Sequence, residues 1–274
     1  ISTSIILYTY ENATLQPPKK TPPQNRRTEV IDPSGWTHIT NGSNVRRVIR
    51  QRQKPQSEPI LVPAEAPGRL TLSDLQTQFQ THHDRWTGSE SWTKVAGVLD
   101  ERVKARMEAS SPADAVDAVV CIGLGSPSGF LRDGWVDRRA VSLYQLAALA
   151  SIKDRVDSHT PTPLKVYAQD PVFNKLDESL LSSLNITILQ DPEAFSHITA
   201  NTLLFCPGAE RQHLELLLPS KPWLVFGGPL EHTDAGGVLQ SYVDGTESYC
   251  VPVFEALEHA FWNMRLYWTK EVEE

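Results

Sequence analysis

The chain has 274 residues, 40% hydrophobic and 22% charged, which allows a sizeable buried core in one large domain or in a core domain with an N-terminal elaboration. A formal net charge of −7 and a pI near 5.6 argue against a general nucleic-acid binder, which carries a basic excess. The apolar run Ile5-Ile6-Leu7-Tyr8 is far too short to span a bilayer and lacks the pattern of a signal peptide, so no membrane association is expected.

Residues 1–69 read as an extended, proline-rich segment. Prolines from Pro17 to Pro67 remove backbone donors and fix φ, so irregular, mobile chain is predicted, most of all over residues 11–30. Gly35-Trp36-Thr37-His38-Ile39 is a small island with packing potential. The basic cluster Arg46, Arg47, Arg50, Arg52 and Lys54 reads first as a solvated loop, and second as a contact for phosphate, nucleic acid or nuclear import machinery.

A helical lead-in is expected over 70–111. Leu72, Leu75, Phe79 and Trp86 recur at roughly helical spacing, with Ser73 the predicted N-cap. A second helix fits Trp92 to Glu108, with Trp92, Val95, Leu99, Val103 and Met107 on one face, stopped by Ser110-Ser111-Pro112.

From Ala118 the pattern alternates. Strands are predicted at 118–124, 165–169, 186–189, 202–206 and 223–226, with helices at 136–156, 177–184 and 209–218 between them. Such alternation implies βαβ crossovers and a mostly parallel sheet with 118–124 at its centre. The fold class is α/β: a Rossmann-like three-layer sandwich with its core at 118–230. A C-terminal strand region follows at 248–268, where Trp262, Met264, Leu266 and Trp268 alternate as an added strand.

Three stretches carry candidate chemistry. Gly123-Leu124-Gly125-Ser126 follows the first core strand, where glycines let the backbone turn sharply and bring amides close to a ligand. With only G-x-G it is weak evidence for a dinucleotide. It fits a mononucleotide or S-adenosylmethionine pocket at least as well, or simply a tight turn. Asp170 ends the second strand, where an acidic residue accepts hydrogen bonds from ribose hydroxyls or caps the turn before Pro171. Cys206-Pro207-Gly208-Ala209 ends the fourth strand and reads mainly as a turn lining the pocket. The lesser, rival roles for Cys206 are a haem thiolate ligand and a nucleophile with His213 as base.

Cys121, Cys206 and Cys250 are widely spaced in apolar runs and read as reduced, buried thiols of a cytosolic or nuclear protein. His82 and His83 diverge by about 100° on a helix, so a shared metal is not expected. No nucleophile elbow, P-loop or carboxylate pair is present.

Several of these pieces occur together in one known family. Gly35-Trp36-Thr37, Cys121 to Ser126, Arg139 with Gln145-Leu146-Ala147, Asp170-Pro171-Val172-Phe173 and Ala260-Phe261-Trp262-Asn263 resemble motifs of the Sensitivity-to-Red-light-Reduced domain, over about Trp36 to Trp268. The chain departs from that pattern in two places. Cys206-Pro207-Gly208-Ala209 stands where the family often has Met-Pro-His-Cys, and the insertion Gly129 to Asp137 is long. The resemblance implies a regulatory role, with family links to light signalling, circadian timing and haem synthesis. The expected pocket uses Gly123, Gly125, Ser126, Asp170, Cys206, Pro207 and Gly208, and takes a nucleotide-like ligand, such as S-adenosylmethionine or another adenosine-type molecule, or a protein partner. The rival reading is an S-adenosylmethionine-dependent transferase using the same pocket.

Overall fold

The computed structural model describes residues 27–31, 37–41, 62–109, 115–130, 137–160, 162–231 and 237–270. The chain divides into two compact units, Ile1–Ile60 and Leu61–Glu274. In the first, β1 (Arg27–Ile31) and β2 (Thr37–Asn41) form an antiparallel pair with Val30 opposite His38. The expected mobility of residues 11–26, the Gly35-Trp36 pair and the cluster Arg46 to Lys54 lie outside the described residues.

The second unit is an α/β sandwich. Its strands are β3 (Ala118–Ile122), β4 (Lys165–Gln169), β5 (Thr187–Ile188), β6 (Thr202–Cys206), β7 (Leu224–Gly227), β8 (Thr246–Cys250) and β9 (Arg265–Thr269). They form one sheet in the order β5-β4-β3-β6-β7-β9-β8. The first five are mutually parallel, with β3 in the middle as expected. β9 runs antiparallel to β7, and β8 antiparallel to β9. The predicted C-terminal strand is thus real but begins at Arg265, because Phe261 to Met264 turn into it.

The helices are α1 (Leu72–Thr87), α2 (Glu90–Ala109), α3 (Arg139–Asp157), α4 (Lys175–Ser183), α5 (Arg211–Leu217) and α6 (Val238–Asp244). Strand alternation assigns them to layers. Val119 and Cys121 of β3, Leu203 and Phe205 of β6, and Leu224 and Phe226 of β7 face one apolar cluster with α1 to α4. Their neighbours Val120, Ile122, Leu204, Cys206 and Val225 face a second cluster with α5, α6 and the short helix Glu193–His197. Burial on both faces explains why these strands read as continuous apolar runs.

Local signals set the helix ends. Thr71, not Ser73, caps α1: its hydroxyl accepts the Asp74 amide at 3.2 Å while the Asp74 carboxylate accepts the Thr71 amide at 3.1 Å. The acidic residue three positions on decides the cap. On α2, Val95, Leu99 and Val103 are buried, but Met107 is 54% exposed, so the apolar stripe stops a turn earlier than its spacing suggests. Burial on α3 is not confined to one sheet-facing stripe. Residues 142–149 are all buried, because α1 covers the side away from the sheet. The Arg85 guanidinium of α1 donates to the Tyr144 hydroxyl at 3.2 Å, and His83 meets Ser151 at 3.3 Å. The two lead-in helices are therefore part of the core. Trp86, fully buried among Trp92, Phe254 and Phe261, anchors them.

Candidate functional site

In open α/β sheets ligands bind at the carboxyl ends of the strands, where the chain reverses its direction across the sheet. Here the chain steps from β3 outward to β4 and β5, then returns to β6 on the other side of β3. That rule points to the place between the loops that follow β3 and β6, with the β4 loop beside them.

The β3 loop touches both neighbours. Gly123 has φ +78°, and a Cβ there would lie 2.5 Å from the carbonyl carbon of Gly208 and 2.7 Å from the Ala209 nitrogen. The two glycines let main chain meet main chain across the switch point, so their first role is close packing. Gly125 also has positive φ, +73°, and a Cβ there would meet the Ser142 hydroxyl of α3 at 2.7 Å. The space behind Gly125 belongs to a helix side chain.

Asp170 stands at the end of β4, half-buried, and binds this loop directly. Its Oδ2 accepts the Gly125 amide at 2.7 Å and its Oδ1 accepts the Val172 amide at 3.0 Å. Burial pushes the Asp170 carboxyl above its ordinary range, opposed by those two amides; Asp177 adds to the rise and His213 pulls back. An ionised carboxylate offers about four lone-pair sites, and two are used here.

Ser126 turns away from the crevice. Its hydroxyl donates to Asp177 Oδ2 at 2.6 Å and accepts the Gly129 amide at 2.8 Å. Asp177 is fully buried and also accepts the amides of Ser128 at 2.9 Å and Asn174 at 3.1 Å. Burial raises its carboxyl, against these hydrogen bonds. Asn174 caps α4 through the amides of Leu176 and Asp177. The sequence reading missed Asp177, Asn174 and Ser128 as a group. The visible signal was the capping spacing Asn174-x-x-Asp177, which announces a helix start and gives no hint of a partner some 50 positions earlier.

Cys206 is buried, and its Sγ packs on the β7 backbone: a Cβ on Gly227 would lie 2.5 Å from it. Burial pushes its thiol up to about 12, far from thiolate at neutral pH. Pro207 is buried beside it. His213 makes its ring contact with Phe195 at 5.9 Å, and no hydrogen bond links it to Cys206. Cys121 is buried and held well above the ordinary thiol range by burial and by Asp170, whereas Cys250, expected to be buried, is exposed at the end of edge strand β8. Among the described residues no cluster of three or more His, Cys, Asp or Glu could hold a metal ion. Among them, too, no helix is long and apolar enough to cross a membrane.

A depression of about 550 Å³ lies beside α1 rather than over the crevice, lined by Arg69, Leu70, Thr77, Gln78 and Arg139 among others. It is not the site we assign: the Arg139 guanidinium is already paired with both oxygens of Asp137, and it stacks 4.0 Å above the Phe130 ring.

The remaining motif residues hold the sandwich together. The buried Gln145 amide donates to the Ala260 carbonyl at 2.9 Å, so the Gln145-Leu146-Ala147 and Ala260-Phe261 motifs meet across 115 positions of chain. The SRR1 domain family model matches residues 75–268, from α1 through β9. The chain belongs to the SRR1 domain family. No protein among curated sequences matches it. The SRR1 domain thus comprises the whole seven-stranded sheet, with α1 and α2 inside it; the segment Val62–Leu70 packs onto it from just outside the matched range.

Proposed function

We propose that this SRR1 domain is a regulatory binding module whose switch-point crevice takes a small adenosine-type ligand without turning it over. One observation carries the reading. Asp170 presents a desolvated, half-exposed carboxylate at the end of β4, held in place by two backbone amides and with acceptor capacity left for a pair of ribose hydroxyls. Absence of turnover is supported by Cys206, whose thiol is buried and directed at Gly227. In keeping with the family resemblance, the regulatory output belongs to signalling, circadian timing or haem synthesis, in the cytoplasm or nucleus.

A second reading, an S-adenosylmethionine-dependent transferase, is favoured by the sheet itself. Five parallel strands ordered around β3, followed by a reversed strand between the last two, is an arrangement shared with such transferases; this is an analogy of fold and carries no chemistry by itself.

The test is calorimetric titration of S-adenosylmethionine, S-adenosylhomocysteine and nicotinamide dinucleotides into wild type and Asp170→Ala. Binding weakened about tenfold or more in the variant is the expected result, the factor carried by one lost charged hydrogen bond. Binding equal in both proteins would place the ligand elsewhere. No binding of any of them would favour a protein partner at this edge.

A further inference from the structure

The glycine loop is fastened on its outer side to a segment that comes from before α1. Residues 62–65 run as a strap across the end of the loop. The Ala64 amide donates to the Val172 carbonyl at 2.8 Å, and Glu65 and Phe130 exchange amide-to-carbonyl bonds of 3.0 Å in both directions. Ala64 is 5% exposed, and its methyl takes the space beside Gly129, where an added Cβ would come within 2.7 Å of it.

Between strap and loop sits one polar hub. The Asn174 amide donates to the Ala64 carbonyl at 3.1 Å and to the Ser128 hydroxyl at 2.9 Å. Ser128 and Ser126 are held in turn by the buried carboxylate of Asp177. Each step is a direct hydrogen bond among buried or half-buried groups, and in such a network the loss of one member leaves its partners unsatisfied. The hub therefore has one well-satisfied arrangement, which requires strap and loop to be in place together. Gly125, at the inner end of the same loop, is bonded to Asp170.

We infer that the strap Val62–Glu65 controls the crevice: while docked it holds the Gly125–Phe130 loop closed onto Asp170, and its release loosens that loop. The strap is the first stretch of the α/β unit, directly following Ile1–Ile60. The effect on ligand affinity rests on the crevice reading above; the coupling of strap and loop does not.

The coupling is read by native-state hydrogen exchange on the full chain under rising sub-denaturing urea. The amides of Ala64, Glu65 and Phe130 should open together with those of Gly125, Ser128 and Gly129, with the same urea dependence, as one cooperative unit. Strap amides that open in milder urea while Ser128 and Gly129 stay protected would overturn the inference. Glu65→Pro, which deletes the donor to Phe130, should speed exchange at Ser128 and Gly129 about fivefold or more, the factor expected from one lost hydrogen bond. Asn174→Ala should do the same. Unchanged loop exchange in both variants would also overturn it. Titration of S-adenosylhomocysteine then separates the two claims. Weaker binding to Glu65→Pro than to wild type supports control of the crevice, and equal binding refutes it. No binding to wild type removes the ligand reading and leaves the strap to be judged by exchange alone.

Discussion

Gly123→Ala is the sharpest perturbation of the switch point. The added Cβ would sit 2.5 Å from the Gly208 carbonyl carbon, 2.7 Å from the Ala209 nitrogen and 2.8 Å from the Gly208 oxygen. Comfortable carbon contacts lie at about 3.5–4.0 Å, so the two main chains would have to part by roughly 1 Å. Neither gives easily, because β3 and β6 pair directly from Ala118↔Thr202 to Cys121↔Phe205 and fix both loops from below. The left-handed φ of +78° adds about 1–2 kcal/mol for a residue with a Cβ, and overpacking about 1–3 kcal/mol. Together they predict a loss of about 2–5 kcal/mol, a large share of the roughly 5–15 kcal/mol of a typical domain. Urea unfolding followed by tryptophan fluorescence measures it, with an unchanged slope confirming that only stability moved. Gly125→Ala is the control, since its clash at 2.7 Å is with the Ser142 hydroxyl, a side chain. Adding Ser142→Ala should relieve the clash and leave only the φ penalty of about 1–2 kcal/mol. A loss below about 1 kcal/mol for Gly123→Ala would refute the claim that this glycine is required by packing.

Thiol labelling of the native protein should be biphasic: Cys250, exposed on β8, reacts promptly, while Cys121 and Cys206, buried and held as thiols, react only at the rate of unfolding. Rapid labelling of Cys206 would return it to the list of reactive groups. For pH, burial raises the folded pKa of Asp177 above its unfolded value, so within that window the folded chain holds the extra proton and stability falls as pH rises. The window opens near the unfolded carboxylate value of about 3.9 and extends upward. Because Asp177→Asn cannot titrate, the stability of wild type relative to this variant should decline from pH 4 upward; a relative stability that rises with pH would contradict the assignment.

The architecture was legible because its signals are local. Val119-Val120-Cys121-Ile122 is apolar without alternation, and a strand that buries both faces must look like that. From such strands and the helices between them a parallel sheet centred on β3 followed. The N-cap was misplaced by two residues because Ser73 and Thr71 are equally good hydroxyl caps in isolation, and the Asp74 carboxylate that decides between them reaches back only in the folded turn. Burial on the outer side of α3 escapes the pattern for a different reason: periodicity assumes a solvated face, and α1 removes it.

The strand-end position of these loops follows from topology, whereas the partners of their residues do not. Gly125 and Asp170 were each read both as ligand contacts and as turn residues, and they bind each other, 45 positions apart. Nothing in a linear pattern distinguishes a strand-end carboxylate that accepts a ribose from one that accepts a main-chain amide, since both need the same acidic residue in the same place. The two roles are compatible, because a carboxylate has more acceptor sites than the loop uses. Two lone-pair sites of Asp170 position the loop, and about two remain directed elsewhere. A scaffold role for Asp170 is therefore a precondition of a binding role, because a carboxylate already immobilised by two amides gives up little further entropy when a ligand arrives. The same logic extends outward through Asp177 and Asn174 to the strap, which is why the residues that matter for this edge are found on three separate segments of chain rather than in the glycine motif alone.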